Sequence, residues 1–257
     1  MIADNLARIR RKIVVMSGKG GVGKSTVSAY LSLLLSDRGR TVGLLDVDLH
    51  GPSIPRLMGI RAGLDIPEQG AVRPFAFSDT LKVVSLEMVV GDNDMAVIWR
   101  GPMKITAIRQ FMSDIEWGDL DFLIVDSPPG TGDEPLTVAQ TIPDAEALLV
   151  TTPQEVSLAD VRKSINFCRQ VDLSILGVVE NMSGYMCPHC GQKSDVFGHG
   201  GGRKMALAMD VRFLGEIPLD PEMMTLGDQG SLHRLRDKPD SPINRAWDPI
   251  LQKILQQ

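Results

Sequence analysis

One stretch near the start of this 257-residue chain decides its fold: Ile13-Val-Val-Met-Ser-Gly18-Lys-Gly-Gly-Val-Gly-Lys24-Ser25-Thr26. From Gly18 to Ser25 it fits the pattern G-x-x-x-x-G-K-[ST], a loop whose backbone N–H groups turn inward around phosphate. An apolar run of strand length precedes the loop and a helical pattern follows it, which is the context that this motif requires. The helix adds its positive N-terminal end to the anion site. The sequence therefore predicts a phosphate-binding loop between a buried strand and a helix.

Short apolar runs alternate with helical patterns along the rest of the chain. The runs of strand length are Ile13–Met16, Val42–Asp46, Val83–Leu86, Phe122–Val125, Ala147–Thr151, Leu176–Val179 and Arg212–Ile217. The helical patterns are Thr26–Arg38, Ile105–Ile115, Leu158–Val171, Arg203–Ala208 and Ile243–Leu255. Several of the runs are continuously apolar, as in strands buried on both faces. We expect an α/β fold, a doubly wound, mostly parallel sheet of about seven strands with helices on both faces.

Length and composition suit one domain, 1–257, with 43% hydrophobic residues for its core. The net charge of −5 does not favour a nucleic-acid partner. No apolar run approaches the roughly 18 residues of a membrane span, and no signal-peptide segment follows the start. The three cysteines are unlike a secreted disulfide scaffold, and Cys168 is expected in the core. We expect a cytoplasmic protein with irregular stretches at Met58–Ser78 and Gly184–Gly202.

Acidic residues end two of the expected strands, in Asp46-Val-Asp48 and in Asp126-Ser-Pro-Pro. An aspartate placed so, downstream of a phosphate loop, is expected to hold a Mg²⁺ shell, and we expect this of Asp126. Lys24 would reach the β- and γ-phosphates, and Ser25 would ligate the same Mg²⁺. Asp46 and Asp48 can point to the same side of an extended strand. The alternative for either of them is a cap on the loop that follows the strand.

A single C-x-x-C, Cys187-Pro-His189-Cys190, lies between a turn region and a glycine-rich run. Its two thiolates can face one metal atom, but they cannot complete a tetrahedral site alone. One solution is a symmetric dimer whose four thiolates bind Zn²⁺ or a [4Fe–4S] cluster. A second adds His189 or His199 of the same chain to a zinc site. A third is a redox-active dithiol.

Lys19 adds a family signal, since Lys-Gly-Gly-x-Gly-Lys-Ser-Thr resembles the deviant Walker A ATPases, which include MinD, ParA, the nitrogenase iron protein and Mrp-type iron–sulfur carriers. The resemblance implies that Lys19 crosses a dimer interface to the partner's ATP, where a second cation offsets charge on the phosphoryl group. It implies that Asp48 orients the attacking water and Asp46 supports the magnesium shell. It also implies ATP contacts from residues at two strand ends and from the loop: Asn181, Pro218, Gly18, Lys19, Gly20, Gly21, Val22, Gly23, Lys24, Ser25 and Thr26. Asn181 and Pro218 would contact adenine, although both could be ordinary loop residues.

Over nearly its whole length the chain resembles the Mrp-type iron–sulfur cluster carrier ATPases. The resemblance is carried by the phosphate loop and by seven further segments: Asp46–Ser53, Trp99–Met103, Asp126–Asp133, Thr152–Gln154, Asn181–Ser183, Cys187–Cys190 and Phe197–Gly202. It implies a homodimer or heterodimer that binds a [4Fe–4S] cluster between Cys187 and Cys190 of each chain. It implies slow ATP hydrolysis and delivery of the cluster to apo-proteins.

Three other functions stay open at this point. The first is a dimeric ATPase with structural zinc at the C-x-x-C, and the second is an electron donor like the nitrogenase iron protein. The third is a positioning ATPase of the MinD or ParA kind. A MinD-like tail would bind membranes through an amphipathic helix with basic residues. The apolar stripe of Ile243–Leu255 has few such residues, and we expect it to cover the sheet instead.

Overall fold

A computed structural model describes residues 2–48, 51–64, 71–90, 101–187 and 189–256. The strands within these residues are β1 Ile9–Ser17, β2 Val42–Asp46, β3 Phe75–Ala76, β4 Leu81–Ser85, β5 Leu120–Asp126, β6 Ala145–Thr151, β7 Ser174–Glu180, β8 Tyr185–Met186, β9 Lys193–Ser194 and β10 Phe213–Glu216. The helices are α1 Ile2–Ala7, α2 Lys24–Asp37, α3 Ile54–Met58, α4 Leu86–Val90, α5 Gly101–Asp114, α6 Asp133–Thr141, α7 Glu155–Gln170, α8 Gly201–Ala208, α9 Pro221–Asp228 and α10 Pro242–Leu255, with a 3₁₀ helix at Leu232–Asp237.

The larger sheet has eight strands in the order β10-β7-β6-β1-β5-β2-β4-β3. All neighbouring strands are parallel except β3, which pairs antiparallel with β4 at the edge. The expected doubly wound α/β sheet is therefore confirmed. The two-residue edge strand lies in the stretch Met58–Ser78 that we expected to be irregular, of which residues 65–70 lie outside the described part. A separate two-stranded hairpin, β8 and β9, falls in the other irregular stretch.

Both faces of the sheet are apolar because helices cover each of them. In β1, Ile13 and Val15 pack into one apolar cluster with α2 and α10, whereas Val14 and Met16 pack into the opposite cluster with α5 and α7. Successive side chains of a strand point to opposite faces, so a strand covered twice has no polar alternation. Cys168 belongs to the second cluster and is fully buried, as expected.

The last helix, α10, lies on the sheet. Its apolar stripe is buried, with Trp247 in edge contact with Tyr30 of α2 at 5.8 Å between ring centroids. Ser241 caps the helix by accepting from the Asn244 N–H, and Pro242 occupies the first turn, where a missing N–H costs nothing. The stripe thus belongs to the core, as expected. None of the helices in the described ranges has the length and apolar character of a membrane span.

Candidate nucleotide site and cysteine loop

The phosphate loop connects the end of β1 to the start of α2 at the carboxyl edge of the sheet. Gly21 and Gly23 have φ values of 81° and 84°, in the left-handed region that glycine adopts without strain. Gly18 and Gly23 are also places of close approach. A Cβ at Gly18 would lie 2.3 Å from the backbone of Asp160, and one at Gly23 would lie 2.2 Å from the Asn181 amide. The loop conformation therefore needs glycine for two separate reasons.

Asp126, the last residue of β5, is the fully buried acid of the site. It accepts hydrogen bonds from the hydroxyls of Ser25 at 2.5 Å and Ser28 at 2.8 Å. The Lys24 ammonium lies 2.8 Å from Asp126 Oδ1, the oxygen that also accepts from Ser28, and 3.7 Å from Asp48. The structure thus brings together the sequence-predicted Lys24, Ser25, Asp48 and Asp126. Two carboxylates hold the Lys24 cation where it is itself almost fully buried.

Asp46 ends β2 directly beside Asp126 in the parallel register. It accepts from the backbone N–H groups of Asp48 at 3.1 Å and Ile54 at 3.4 Å, and from the Ser85 hydroxyl at 3.1 Å. Burial raises the pKa of Asp46 to about 7, and the neighbouring Asp126 carboxylate adds to this rise. Asp46 therefore shapes the loop that leads to α3, so the cap considered for it is present in the structure.

Two cavities lie side by side at this edge. The first, of about 240 Å³, is lined by the phosphate loop together with Lys19, Asp48, Ser53 and Pro129. The second, of about 210 Å³, shares Gly23 and Thr26 with the first and has a more apolar lining. The structure thus joins a phosphate-sized cavity to a neighbouring cavity suited to a flat apolar group.

Asn181 and Pro218 line the second cavity, as the resemblance implied for an adenine site. The Asn181 Nδ2 donates to the Val22 carbonyl of the phosphate loop at 2.9 Å, which ties the end of β7 to that loop. Met223 and Met224 of α9 complete the lining. Sequence reasoning did not find these methionines; the only local signal was the helix start at Asp220-Pro221, where Asp220 accepts from the Met223 N–H.

The two cysteines of the C-x-x-C sit at the tip of the β8–β9 hairpin. The Cys187 N–H donates to Gln192, and its carbonyl accepts from Gly191, both at 2.9 Å. Cys187 is half-buried and Cys190 is exposed. The backbone N–H groups of Cys190 and His189, and the Cys190 thiol, hydrogen-bond the Cys187 sulfur and lower the pKa of Cys187. In contrast, burial raises the pKa of Cys168 to about 12. The hairpin thus presents two accessible thiols, of which Cys187 has the lowered pKa, and the core holds an inert thiol.

In the part of the hairpin tip that the structure describes, the two cysteines are not joined by a third metal ligand. His189 and His199 are both exposed. Within the described ranges, no group of three or more His, Cys, Asp or Glu side chains is placed to hold a metal ion. Among these described residues, His189 and His199 are not placed with the two cysteines as a zinc site of one chain would require. Exposed apolar side chains, Met186, Val196 and Phe197, flank the tip.

A phosphate loop at the end of a central parallel strand, with a buried aspartate on the neighbouring strand, defines a P-loop NTPase. The chain matches the family model "ParA: NUBPL iron-transfer P-loop NTPase" over residues 8–255, and it belongs to that family.

The chain is similar in sequence to curated proteins whose names describe iron–sulfur cluster carriers or assembly factors. It is 47% identical to an "Iron-sulfur cluster carrier protein" of Methanocaldococcus jannaschii over 255 residues, which cover 98% of this chain and 88% of the relative. It is 46% identical to the "Cytosolic Fe-S cluster assembly factor NUBP2" of Bos taurus, covering 98% of this chain and 95% of the relative. The chain is thus a P-loop NTPase of the iron–sulfur carrier and assembly-factor family.

Solved structures agree on the fold. A nucleotide-binding protein of Archaeoglobus fulgidus in complex with ADP, with cobalt found in it, superposes with a TM-score of 0.81 at 37% identity, covering 95% of this chain and 94% of that one. The cell division ATPase MinD of Pyrococcus furiosus superposes with a TM-score of 0.69 at 26% sequence identity, covering 96% of this chain and 99% of that one. Of the segments that carried the resemblance, Leu49, His50, Trp99, Arg100 and Pro188 lie outside the described residues.

The three cysteines should react in a fixed order with iodoacetamide. We expect Cys187 and Cys190 to be alkylated in the folded protein and Cys168 only after unfolding, because its thiol is buried and its pKa is raised. A lowered pKa leaves more thiolate at low pH, so alkylation of Cys187 should persist to lower pH than that of an unstructured peptide thiol. Peptide mass spectrometry across a pH series measures this. Alkylation of Cys168 at the rate of Cys190 in folded protein would contradict the assignment.

Proposed function

We propose that this chain is an ATPase that holds a [4Fe–4S] cluster between two copies of itself and transfers the cluster to apo-proteins. The observation that carries the proposal is the hairpin tip, which presents Cys187 and Cys190 outward without a third ligand from the described part of its own chain. Two such tips supply four thiolates, the number that binds a [4Fe–4S] cluster. Relatives named as cluster carriers support the same cargo. The exposed apolar residues beside the tip suit burial against a second copy.

ATP is the nucleotide that the two cavities suit. The backbone of the loop and the ammonium of Lys24 would bind the phosphates in the first cavity. In the second, Asn181 has committed its Nδ2 to Val22, so its Oδ1 remains to accept from an exocyclic amino group. Adenine carries that amino group where guanine carries a carbonyl. Pro218 and the methionines of α9 would cover the faces of the ring. The ADP bound in the Archaeoglobus structure supports this choice.

Magnesium fits the donor set of the site. The Ser25 hydroxyl, which lines the phosphate cavity, donates to the buried Asp126 carboxylate at 2.5 Å. Asp46 lies beside Asp126, and Asp48 lines the same cavity as Ser25. These are hard oxygen ligands of the kind that Mg²⁺ prefers, and the ion would neutralise phosphate charge when bound. Asp48 would orient the attacking water. Lys24 would move its contact from Asp126 to the phosphates.

Lys19 would act across the dimer interface. Lys19 lines the phosphate cavity and is only partly buried, so its ammonium can extend toward a neighbouring chain. In a face-to-face dimer it would reach the partner's nucleotide and stabilise charge during phosphoryl transfer. We further propose that residues 1–257 work as one ATPase domain with the cysteine loop at 184–202 as an insertion. The cytosolic relative in cattle supports work in the cytoplasm.

The two lysines should fail in different ways when replaced. Lys24→Ala should weaken ATP binding by more than about tenfold, because a buried cation on the phosphates is lost. Lys19→Ala should bind ATP within about threefold of wild type but hydrolyse it more than about tenfold more slowly, because one charge-stabilising group is missing from the transition state. Binding of a fluorescent ATP analogue and phosphate release under saturating ATP measure the two effects. A Lys19→Ala variant with normal turnover would remove the interfacial role of Lys19.

Anaerobic reconstitution with iron and sulfide tests the cargo. Wild type should take up about four irons and four sulfides per dimer, the composition of one [4Fe–4S] cluster. The variant Cys187→Ala, Cys190→Ala should lose this uptake.

Cys168→Ala is the matched control, since it removes a thiol that is buried away from the tip, and it should keep the cluster. Zinc in place of iron would instead support a structural metal at the dimer seam. Iron uptake that survives loss of both hairpin cysteines would refute the carrier.

A further inference from the structure

The cysteine loop leaves the sheet and returns to it at a single buried carboxylate. Glu180, the last residue of β7, is fully buried. One of its oxygens accepts from the Ser183 hydroxyl at 2.5 Å and from the Gly200 N–H at 2.7 Å, and the other accepts from the Gly202 N–H. Ser183 lies just before the hairpin, and Gly200 and Gly202 lie just after it. Glu180 therefore closes the base of the loop that carries both cysteines.

The glycine run at the end of the loop has the shape that this closure needs. A Cβ at Gly202 would lie 2.9 Å from the Glu180 carboxylate, and one at Gly201 would lie 2.7 Å from the Pro153 carbonyl. Gly200 has a φ of 73°, in the left-handed region. The run therefore lets the backbone N–H groups at the start of α8 approach the carboxylate, whose charge is favourable at a helix N-terminus. This accounts for both Asn181–Ser183 and Phe197–Gly202, whose chemistry the nucleotide site alone leaves unexplained.

The same residues connect the cysteine loop to the second, more apolar cavity, the base cavity, which Asn181 and Pro218 line. Asn181, which follows Glu180, lines that cavity and binds the Val22 carbonyl. The Ser183 N–H donates to Ile217 at 2.9 Å, and the Leu219 N–H donates to Gly184 at 2.8 Å. Leu219 lines the cavity as well. Of the segments that line this cavity, residues 217–219 are thus hydrogen-bonded to the first residues of the cysteine loop, and Asn181 and Met182 run directly into that loop.

A buried carboxylate depends strongly on its donors. The donors to Glu180 are a hydroxyl and two backbone N–H groups, all uncharged, and a buried charge that loses a hydrogen bond pays a desolvation cost. A shift of residues 181–183 on base binding would therefore be transmitted to the return of the loop through the same carboxylate. Rotation of the cysteine loop relative to the sheet would break these hydrogen bonds, so the carboxylate also opposes it.

We propose that Glu180 is a positioning residue that couples occupancy of the nucleotide site to the arrangement of Cys187 and Cys190. This rests on the function proposed above, since it assigns the regulation of the same cysteine site. Nucleotide binding orders residues 181–183 and 217–219 at the base cavity, and Glu180 passes that order to both ends of the loop. In this proposal, Glu180 contacts neither the phosphates of a bound nucleotide nor the cysteine thiols, and it acts only through the residues that it holds.

The test is the rate of alkylation of Cys187 and Cys190 by iodoacetamide in the full chain without iron, with and without saturating MgADP. In wild type, MgADP should slow alkylation by about fivefold or more, the lower end of typical coupling between sites. In Glu180→Gln, which keeps the volume and loses the charge, the two rates should agree within about twofold. A merely structural role would change both rates together and leave their ratio as in wild type.

Glu216→Gln is the matched control. Glu216 lies opposite Glu180 in the β10–β7 register and pairs with Arg203 of α8, but it holds neither end of the loop. It should keep the wild-type ratio. Ser183→Ala is a milder change that removes only the hydroxyl donor to Glu180 at the start of the cysteine loop. It should reduce the ratio of alkylation rates without and with MgADP to less than half of the wild-type ratio. This variant remains informative if Glu180→Gln does not fold. Direct MgADP binding to each variant ensures saturation.

A wild-type ratio in Glu180→Gln, or in Ser183→Ala, would overturn the proposal, and so would a ratio of one in wild type. These outcomes can be distinguished from failure of the proposed cluster-carrier function. If reconstitution yields no cluster while MgADP still slows alkylation in wild type and not in Glu180→Gln, the coupling stands and the cargo is refuted. If the cluster forms and the ratio is one, the carrier stands and the coupling is refuted.

Discussion

The buried carboxylate of Asp126 is the constraint on which the rest of the site depends. It ends β5, whose neighbours are β1 and β2, and it receives Lys24, Ser25 and Ser28 from the first turns of α2. Removing one partner of a buried ion pair typically costs about 3–5 kcal/mol, because the remaining charge stays uncompensated. This one group therefore fixes the phosphate loop against the sheet and sets the position of the Lys24 cation. Burial raises the pKa of Asp46 on the neighbouring strand, and the Asp126 carboxylate adds to that rise.

From that centre the site extends in one direction along the carboxyl edge of the sheet. The phosphate loop contacts Asn181, which follows β7, and Glu180, the last residue of β7, accepts from both ends of the cysteine loop. Ligands bind at this edge in parallel α/β sheets because successive strand ends converge there. Here the edge carries a nucleotide cavity at its middle and a thiol pair toward the β7–β10 side. The nucleotide cavity and the thiol pair thus lie along one row of strand ends.

Local patterns predicted the parts of the structure that depend on local chemistry. The glycine loop between strand and helix, the doubly buried strands and the apolar stripe of α10 all followed from spacing and composition. Cys168 was assigned to the core from its place on the apolar face of α7. The family resemblance supplied Asn181 and Pro218, since neither residue type alone distinguishes a base contact from a turn.

Features that depend on distant partners were not predicted. Glu180 resembles any acidic residue at a strand end, and its role appears only when a loop returns about twenty residues later to donate to it. Met223 and Met224 belong to a short helix whose apolar residues acquire meaning only beside the phosphate loop. The edge strand β3 has two residues and so leaves no periodicity. Helix α6 begins at Asp133-Glu-Pro within a glycine-rich segment, where the strong loop signal obscured the acidic first turn.

In the proposed function, two chains share one cluster through their hairpin tips. Native mass spectrometry of the anaerobically reconstituted protein tests it most directly, because one spectrum gives both the number of chains and the bound metal. We expect a species of two chains with the added mass of a single [4Fe–4S] cluster, which separates into bare monomers when a chelator removes the cluster. A single chain that retains its own metal, or a dimer that carries one metal per chain, would contradict it.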